Sequence, residues 1–247
     1  MVYNVNSNVS ALNVYNNLGV HQAKSSAALA RISSGLKAAG GGDVASQGTA
    51  ATINASLQAT QSNISQVQSA INQLQVADTA YGEMIALGQK GLEVANRVTD
   101  AGADTSAITA QLVALTAGIT SINTNTQYNG AVFTSTSTPD VGGGTFVATP
   151  TAAVAPTANT AVAYSTFIEG TVDKRATNAG NIASLQSTLQ VLNSVAANEV
   201  AGISQAQDTD IAKEMMNLTS ANIMTEAATA MLAQSMQLPN AVLRLLQ

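Results

Sequence analysis

The sequence predicts a mainly α-helical fold, an elongated antiparallel helical bundle or coiled coil with a small β-hairpin excursion. Apolar side chains recur every three and four residues over several long stretches, which is typical of helices with one buried face. Three of the four prolines fall between residues 123 and 170, outside those stretches. The chain is 46% hydrophobic but only 3% aromatic. Small aliphatic side chains of this kind suit close packing of slender helices.

The longest helical stretch runs from about residue 47 to 98. Its seven-residue apolar repeat favours a left-handed coiled coil. About 50 residues would make a rod of roughly 75 Å, which needs partner helices along its length. Gln73 is one step off the repeat, so we expect it outside the core. The predicted stripe comprises Ile53, Leu57, Thr60, Ile64, Val67, Ile71, Leu74, Asp78, Tyr81, Ile85, Gly88, Leu92 and Ala95.

Two shorter helices flank this stretch. Residues 1–36 predict a helix that ends near Gly35, with Val5, Val9 and Leu12 on its apolar face. A glycine-rich connector follows, and the Lys-Ser/Thr pair of a phosphate-binding loop does not come after it. Asp104 predicts an N-cap for a helix whose stripe is Ile108, Leu112, Leu115, Ile119 and Ile122.

The composition changes between residues 123 and 170, which are rich in Thr, Gly and Pro. Tyr128-Asn129-Gly130 indicates a turn, and residues 131–133 and 145–147 are candidates for short strands. We expect a small hairpin with a loosely folded, exposed excursion, and we expect residues 134–166 to be dispensable.

Helical periodicity returns after Gly170 and continues to the end of the chain. The first stripe comprises Ile182, Leu185, Leu189, Leu192, Ala196, Val200 and Ile203. In residues 208–247 the apolar face is predicted to contain Ile211, Met215, Leu218, Leu232 and Met236, and Pro239 to end or bend the helix. Val242, Leu243, Leu245 and Leu246 form an apolar tail that suggests burial against another chain.

Charge and composition argue against several classes of function. The net charge of −5 and the lack of a basic patch argue against nucleic acid. The chain has no Cys, hence no disulfide or thiolate metal site. The N-terminus is not a cleaved signal peptide, and no apolar run is long enough to span a membrane. The single His21 predicts a structural role, and the pair Asp208 and Asp210 predicts helix capping, so neither an enzyme nor a bound metal or cofactor is expected.

Four segments resemble conserved motifs of bacterial flagellins, in the right order and at both ends of the chain. They are LARISSGLK at 29–37, NTQYNG at 125–130, DTDIAKE at 208–214 and the C-terminal segment 231–246. The connector GGDVA at 41–45 departs from the family's usual SAKDDA. A basic and an acidic group are therefore lost from the short connection that the family calls a spoke.

The resemblance implies how the chain is divided and what it does. It implies an inner filament-core domain from residues 1–36 and 208–247, a spoke at 37–46, and an outer helical domain at 47–207 that includes the variable region 123–170. It implies a secreted subunit that polymerises with itself into the extracellular flagellar filament for motility. The implied partners are the flagellar export apparatus, a flagellin chaperone and the filament cap.

A host Toll-like receptor recognises flagellins, and Gln89, Lys90 and Glu93 match part of the motif involved. The second Arg of that motif is missing, and because Lys does not copy a planar Arg, we expect weakened recognition. A solvated or subunit-contact face is the alternative reading of these residues. Two alternative functions for the whole chain are a hook–filament junction protein and a monomeric helical binding or signalling module. Sedimentation at rising concentration separates a monomeric module from a polymer.

Overall fold

The computed structural model describes residues 9–100, 102–134 and 150–245, with side chains as far as residue 237. Within these residues there are five α-helices and one two-stranded antiparallel sheet, which confirms the predicted fold class. The helices are α1 (Val9–Ser34), α2 (Val44–Asn96), α3 (Thr105–Asn125), α4 (Ala161–Gln207) and α5 (Ile211–Leu245). A 3-10 turn (Arg97–Thr99) follows α2, and the strands are β1 (Gln127–Tyr128) and β2 (Ala131–Val132).

The chain forms two compact units. The first consists of Met1–Ser56 and Asn198–Gln247, and the second of Leu57–Ala197. The second unit therefore holds most of α2 and α4 together with α3 and the hairpin. The first unit holds α1, α5 and the short end segments of α2 and α4.

The antiparallel pair of α2 and α4 forms the core of the second unit. Each position of the stripe predicted for α2 is buried or half-buried, which confirms the helical phase. On α4 five of the six buried positions recur every seventh residue, a coiled-coil repeat, and Phe167 is the sixth. This repeat comprises Tyr164, Thr171, Asn178, Leu185 and Leu192.

Two apolar clusters fill this core. One lies between α2 and the later part of α4, around Leu74, Leu185 and Leu192. The other gathers the end of α2, the start of α4, α3 and the residues beside the hairpin, around Tyr81, Leu112 and Phe133. The rings of Tyr81 and Phe133 pack edge to face, with their centroids 5.8 Å apart. Burial raises the pKa of Tyr81, whose hydroxyl donates to the Thr151 carbonyl at 2.8 Å.

The expectation that Gln73 lies outside the core is wrong, because its side chain is buried. In the second unit α2 is covered by more than one neighbour. A second buried row, which includes Ala70, Gln73, Ala77, Ala80 and Met84, therefore runs beside the predicted stripe. A stripe predicted for contact with one partner helix is narrower than the buried surface of a helix that packs against neighbours on two sides. At Gln75, two residues further on, the side chain is exposed.

Helix α3 and the turn at residues 128–130 follow the sequence prediction, but the strand that pairs with β2 is Gln127–Tyr128, which was not predicted. The Asp104 carboxylate accepts from the backbone N–H groups of Ser106 at 3.0 Å and Ala107 at 3.1 Å, so it caps α3 as expected. Asn129 and Gly130 both have positive φ, 51° and 78°, as a two-residue hairpin turn requires. The second predicted strand, 145–147, lies outside the described residues.

The excursion is shorter and less exposed than expected. Helix α4 begins at Ala161 rather than after Gly170, and its first turns place Tyr164 in the core. Pro150 and Ala153 are also buried. Deleting all of 134–166 would therefore remove core side chains. A segment without helical periodicity can still be buried when it packs against a helix.

By length and composition, α3 is the one helix among the described residues that could cross a membrane, and only 11% of its apolar window is buried. Helices in the core of a soluble protein can have the same length and composition. Leu112 and Ile119 are fully buried in the core of the second unit, which explains part of the apolar character of α3.

Replacing Ile71 or Leu74 by Ala should lower the free energy of unfolding by about 2–4 kcal/mol, because each side chain is buried and leaves a cavity. The matched control is Gln75→Ala, at an exposed position on the same helix. Urea unfolding followed by circular dichroism measures all three. Equal losses in the three variants would contradict the assigned core face.

Two glycines on α2 should respond to Ala in opposite directions. A Cβ on Gly91 would lie 2.1 Å from the Tyr164 ring, so Gly91→Ala should destabilise the protein by about 1–3 kcal/mol through overpacking. A Cβ on Gly82 meets nothing within 4 Å, and Gly82→Ala should stabilise the helix by about 0.5–1 kcal/mol. Thermal unfolding of both variants tests the pair, and destabilisation of both or of neither would contradict it.

Candidate assembly surface

Helices α1 and α5 pair antiparallel in the first unit. The Ser25 hydroxyl donates to the Asn222 side-chain oxygen at 2.9 Å, and the Arg31 guanidinium lies 3.4 Å from Glu214 Oε1. Beyond the ends of the two helices, Leu36 and Asp208 form an antiparallel bridge. Residue numbers thus rise along one helix as they fall along the other.

The seam between α1 and α5 follows a seven-residue repeat but is made of small and polar side chains as well as aliphatic ones. On α1 the buried and half-buried positions that follow this repeat are Ala11, Val14, Leu18, His21, Ser25, Ala28 and Ile32. On α5 they are Glu214, Leu218, Ala221, Thr225, Ala228, Leu232 and Ser235. Only Ala28, Ala221, Glu214 and Ser235 are fully buried. This seam therefore buries much less apolar surface per turn than the α2 and α4 pair.

Arg31 connects three parts of the first unit. Its Nη1 pairs with Glu214 on α5, while its Nε donates to the Ala39 carbonyl in the spoke at 3.3 Å. Glu214 is only 8% exposed, so the ion pair with Arg31 offsets part of the cost of burying its side chain. The turn at Gly40 also packs closely on α1, because a Cβ on Gly40 would lie 2.8 Å from the Ala27 backbone.

The connection between α1 and α2 is held to the C-terminal half of the chain by backbone hydrogen bonds. Lys37 N–H donates to the Gln207 carbonyl at 2.9 Å, and Thr209 N–H donates to the Gly35 carbonyl at 2.8 Å. Asp43 then begins α2, accepting from the Ser46 N–H at 3.0 Å and from the Ser46 hydroxyl. These hydrogen bonds lower the pKa of Asp43.

Apolar side chains also cover the outward faces of α1 and α5. Val9 is 65% exposed and Leu12 is 60% exposed, and at 100° per residue both lie opposite the α1 side of the seam. Met216 and Ile223, which are 67% and 59% exposed, lie opposite the α5 side. We call these four residues the outward apolar faces. Met215 and Met224 flank Met216 and Ile223 and line the same shallow depression.

The predicted assembly residues fall into three groups. Leu218 and Leu232 belong to the intramolecular seam, whereas Val9, Leu12, Ile211, Met215 and Met236 are exposed in the single chain. At 100° per residue the five α5 residues lie within one arc of the helix, but only Leu218 and Leu232 are half-buried in the seam. Val5, Val242, Leu243, Leu245 and Leu246 have side chains outside the described residues. Helix α5 continues to Leu245, so Pro239 does not end it.

The three residues of the proposed receptor face lie together on α2. Gln89, Lys90 and Glu93 are all exposed. Glu93 forms an ion pair with Arg97 one turn along the same helix. The structure therefore presents this face to solvent.

Sequence reasoning missed Arg31 and Glu214 as a pair, because 183 residues separate them. It also missed the seam itself, since Ala and Ser carry little apolar signal. Among the described residues, no group of three or more His, Asp or Glu side chains is placed to hold a metal ion.

Comparison with known proteins agrees with the motifs at both ends of the chain. The bacterial flagellin N-terminal helical region matches residues 5–138, and the bacterial flagellin C-terminal helical region matches residues 169–246. Together these matches cover most of the chain. The chain belongs to the bacterial flagellin family.

Individual flagellins show the same relationship. A flagellin of Halalkalibacterium halodurans is 27% identical over 270 residues, which cover 98% of this chain and 99% of that protein. Flagellin A of Vibrio cholerae is 41% identical over 63 residues, 26% of this chain and 17% of that protein. A flagellin of Bacillus subtilis is 43% identical over 63 residues and is covered to 21% of its length. This flagellin is therefore a structural subunit that polymerises with itself into the extracellular filament used for motility.

Proposed function

We propose that the outward apolar faces of α1 and α5 are the surfaces through which this flagellin packs against other subunits. The supporting observation is the exposure of Val9, Leu12, Met216 and Ile223 in the single chain. Monomeric soluble proteins rarely expose such side chains in continuous rows. A helix that is apolar on more than one side requires more than one partner, and α5 has only α1 beside it among the described residues.

The size of the effect supports assembly as the purpose of these faces. Fully burying one aliphatic or Met side chain contributes about 1.5–3 kcal/mol before entropy costs. Four such side chains in each subunit are therefore enough to bias association strongly. Met residues adapt to irregular neighbours, which suits contacts repeated between subunits in slightly different settings.

We further propose that the terminal segments become ordered only when the subunit assembles. Their intramolecular seam contains Ala, Ser or Thr at half of its positions, so the isolated pair gains little burial against its backbone entropy. Neighbouring subunits would cover the outward faces and supply the missing burial. Ordering is then coupled to assembly.

The division into an inner domain, a spoke and an outer domain is part of the same proposal. Residues 1–36 and 208–247 would line the filament core, 37–46 would form the spoke, and 47–207 would form the outer domain. The hydrogen bonds of Lys37 and Thr209 support the idea that the outgoing and returning chains run together at the spoke.

The remaining partners follow from family membership. We propose that the subunit is secreted through the flagellar export apparatus, escorted by a flagellin chaperone and added under the filament cap, and that it has no enzymatic activity. Recognition of Gln89, Lys90 and Glu93 by a host Toll-like receptor stays a prediction, in weakened form. The full-length match to a flagellin favours the filament over a hook–filament junction protein or a monomeric binding module.

Replacing both Leu12 and Ile223 by Ser should prevent seeded polymerisation, because the variant loses apolar surface on each outward face. The two side chains are exposed, so thermal unfolding of the monomer should stay within about 0.5 kcal/mol of the parent. The matched control replaces both residues by Met and keeps the surface apolar. Electron microscopy after seeding provides the measurement, and normal filaments from the Ser variant would contradict the proposed surfaces.

Limited trypsin digestion tests the ordering of the terminal segments. In monomer, cleavage after Lys24 and Lys213 should be fast and cleavage after Lys90 in the second unit slow, because only the segment around Lys90 is held by a large core. In filament all three sites should resist. Mass spectrometry of the fragments gives the order of cleavage. Monomer that is protected at Lys24 and Lys213 would show that the α1 and α5 pair is stable by itself.

A further inference from the structure

The methionines of this flagellin are distributed unevenly along the chain. Five of the seven lie on α5, and these are Met215, Met216, Met224, Met231 and Met236. Their exposed fractions range from 48% to 67%. Met84, in the core of the second unit, is fully buried. The thioethers of α5 are therefore open to a reagent in water, whereas the thioether of Met84 is not.

Three of these methionines surround one shallow depression on α5. The depression is lined by Met215, Met216, Thr219, Ser220, Ile223 and Met224. Met216 and Ile223 belong to the outward apolar faces, which we propose as contacts between subunits. Oxidisable sulfur atoms therefore lie within the proposed contact.

A thioether changes its polarity when it meets a two-electron oxidant such as hydrogen peroxide. The methionine sulfur attacks one peroxide oxygen, an S–O bond forms as the O–O bond breaks, and the other oxygen leaves as water with both hydrogen atoms. The sulfur loses two electrons and the peroxide gains them. The product is a sulfoxide, whose oxygen accepts hydrogen bonds where the thioether was apolar.

Oxidation at this depression affects assembly and folding differently. In the monomer the sulfoxide oxygens would lie in water, so they need no partner from the protein. Between packed subunits they would need hydrogen-bond donors, and a buried acceptor without a donor weakens binding. The Thr219 hydroxyl in the depression already donates to the Met215 carbonyl at 2.8 Å, so it cannot serve as that donor.

We propose that Met215, Met216 and Met224 form an oxidation-sensitive site, at which a peroxide converts the thioethers to sulfoxides and stops the unassembled subunit from joining the filament. The inference rests on the proposed assembly surface and adds a means of its regulation. The oxidised subunit stays folded, because the modified groups are exposed in the monomer. Reduction of the sulfoxides restores the apolar surface, so the block is reversible.

The experiment treats the full chain as monomer with hydrogen peroxide and removes the reagent with catalase. Peptide mass spectrometry should find sulfoxide at Met215, Met216 and Met224 and none at the buried Met84. The critical concentration for seeded polymerisation, measured by sedimentation, should rise about tenfold or more, since an unpaired buried acceptor lowers an association constant by that order. The melting temperature of the monomer should not change.

Two variants assign the effect to the depression. The first carries Met215→Leu, Met216→Leu and Met224→Leu, which keep the surface apolar, and it should polymerise equally well before and after peroxide. The second carries Met231→Leu and Met236→Leu and should lose polymerisation on treatment as the parent does. If the first variant polymerises only before treatment, the effect lies at Met231 or Met236, which would overturn the inference.

Enzymatic reduction gives a test that needs no variant. Methionine sulfoxide reductases for both sulfoxide epimers, supplied with a thiol reductant, should restore the thioethers and the critical concentration of the untreated parent. Restored thioethers without restored polymerisation would overturn the inference. Normal polymerisation of a parent that mass spectrometry shows to be oxidised at the three methionines would overturn it too.

Failure of the assembly surface itself can be told apart from failure of this site. Filaments from the variant with Leu12→Ser and Ile223→Ser would contradict the surface. If that variant forms no filaments while the oxidised parent forms normal ones, the surface stands and only the oxidation-sensitive site is wrong.

Discussion

The α2 helix of 53 residues depends on continuous cover along its apolar stripe, and the rest of the structure follows from that need. An isolated helix of this length gains little from intrinsic propensity, so other helices must bury its stripe. In the second unit, α4 runs antiparallel beside it, with Tyr164 packed on Gly91 and Leu185 in the same cluster as Leu74. Helix α3 and the hairpin complete the cover at the end of α2, where Tyr81 and Phe133 meet.

The two helix pairs of this flagellin use the same seven-residue geometry with different side chains. The α2 and α4 seam contains Leu, Ile, Tyr and Phe, and its core is closed within one chain. The α1 and α5 seam contains Ala, Ser and Thr, and its main polar link is the Arg31 and Glu214 pair. The seam between α1 and α5 buries less apolar surface than the seam between α2 and α4. Apolar residues of α1 and α5 therefore remain available on their outward faces. A closed outer core and an unsatisfied terminal pair are what a self-assembling subunit requires.

Polar groups buried inside these seams lower the stability of the fold, which small apolar residues at the same positions would not do. Asn178 leaves one buried oxygen unpaired, and so does Glu214. Such groups reduce stability, because a buried oxygen without a hydrogen-bond partner has lost its interaction with water.

Several features of this chain were determined by the sequence alone: its helical class, the phase of the α2 stripe, the Asp104 cap and the Asn129-Gly130 turn. Each depends on residues close together in the chain, whose spacing or backbone preference acts locally. The flagellin family was also evident from motifs at both ends. Only the tertiary structure decided the burial of Gln73, the early start of α4 and the phase of the α1 and α5 seam. Gln73 is buried because a second neighbour covers α2, and Ala or Ser at a seam gives no apolar signal. Asn178 and the Leu74 carbonyl are 104 residues apart, so their contact exists only once the two helices have packed.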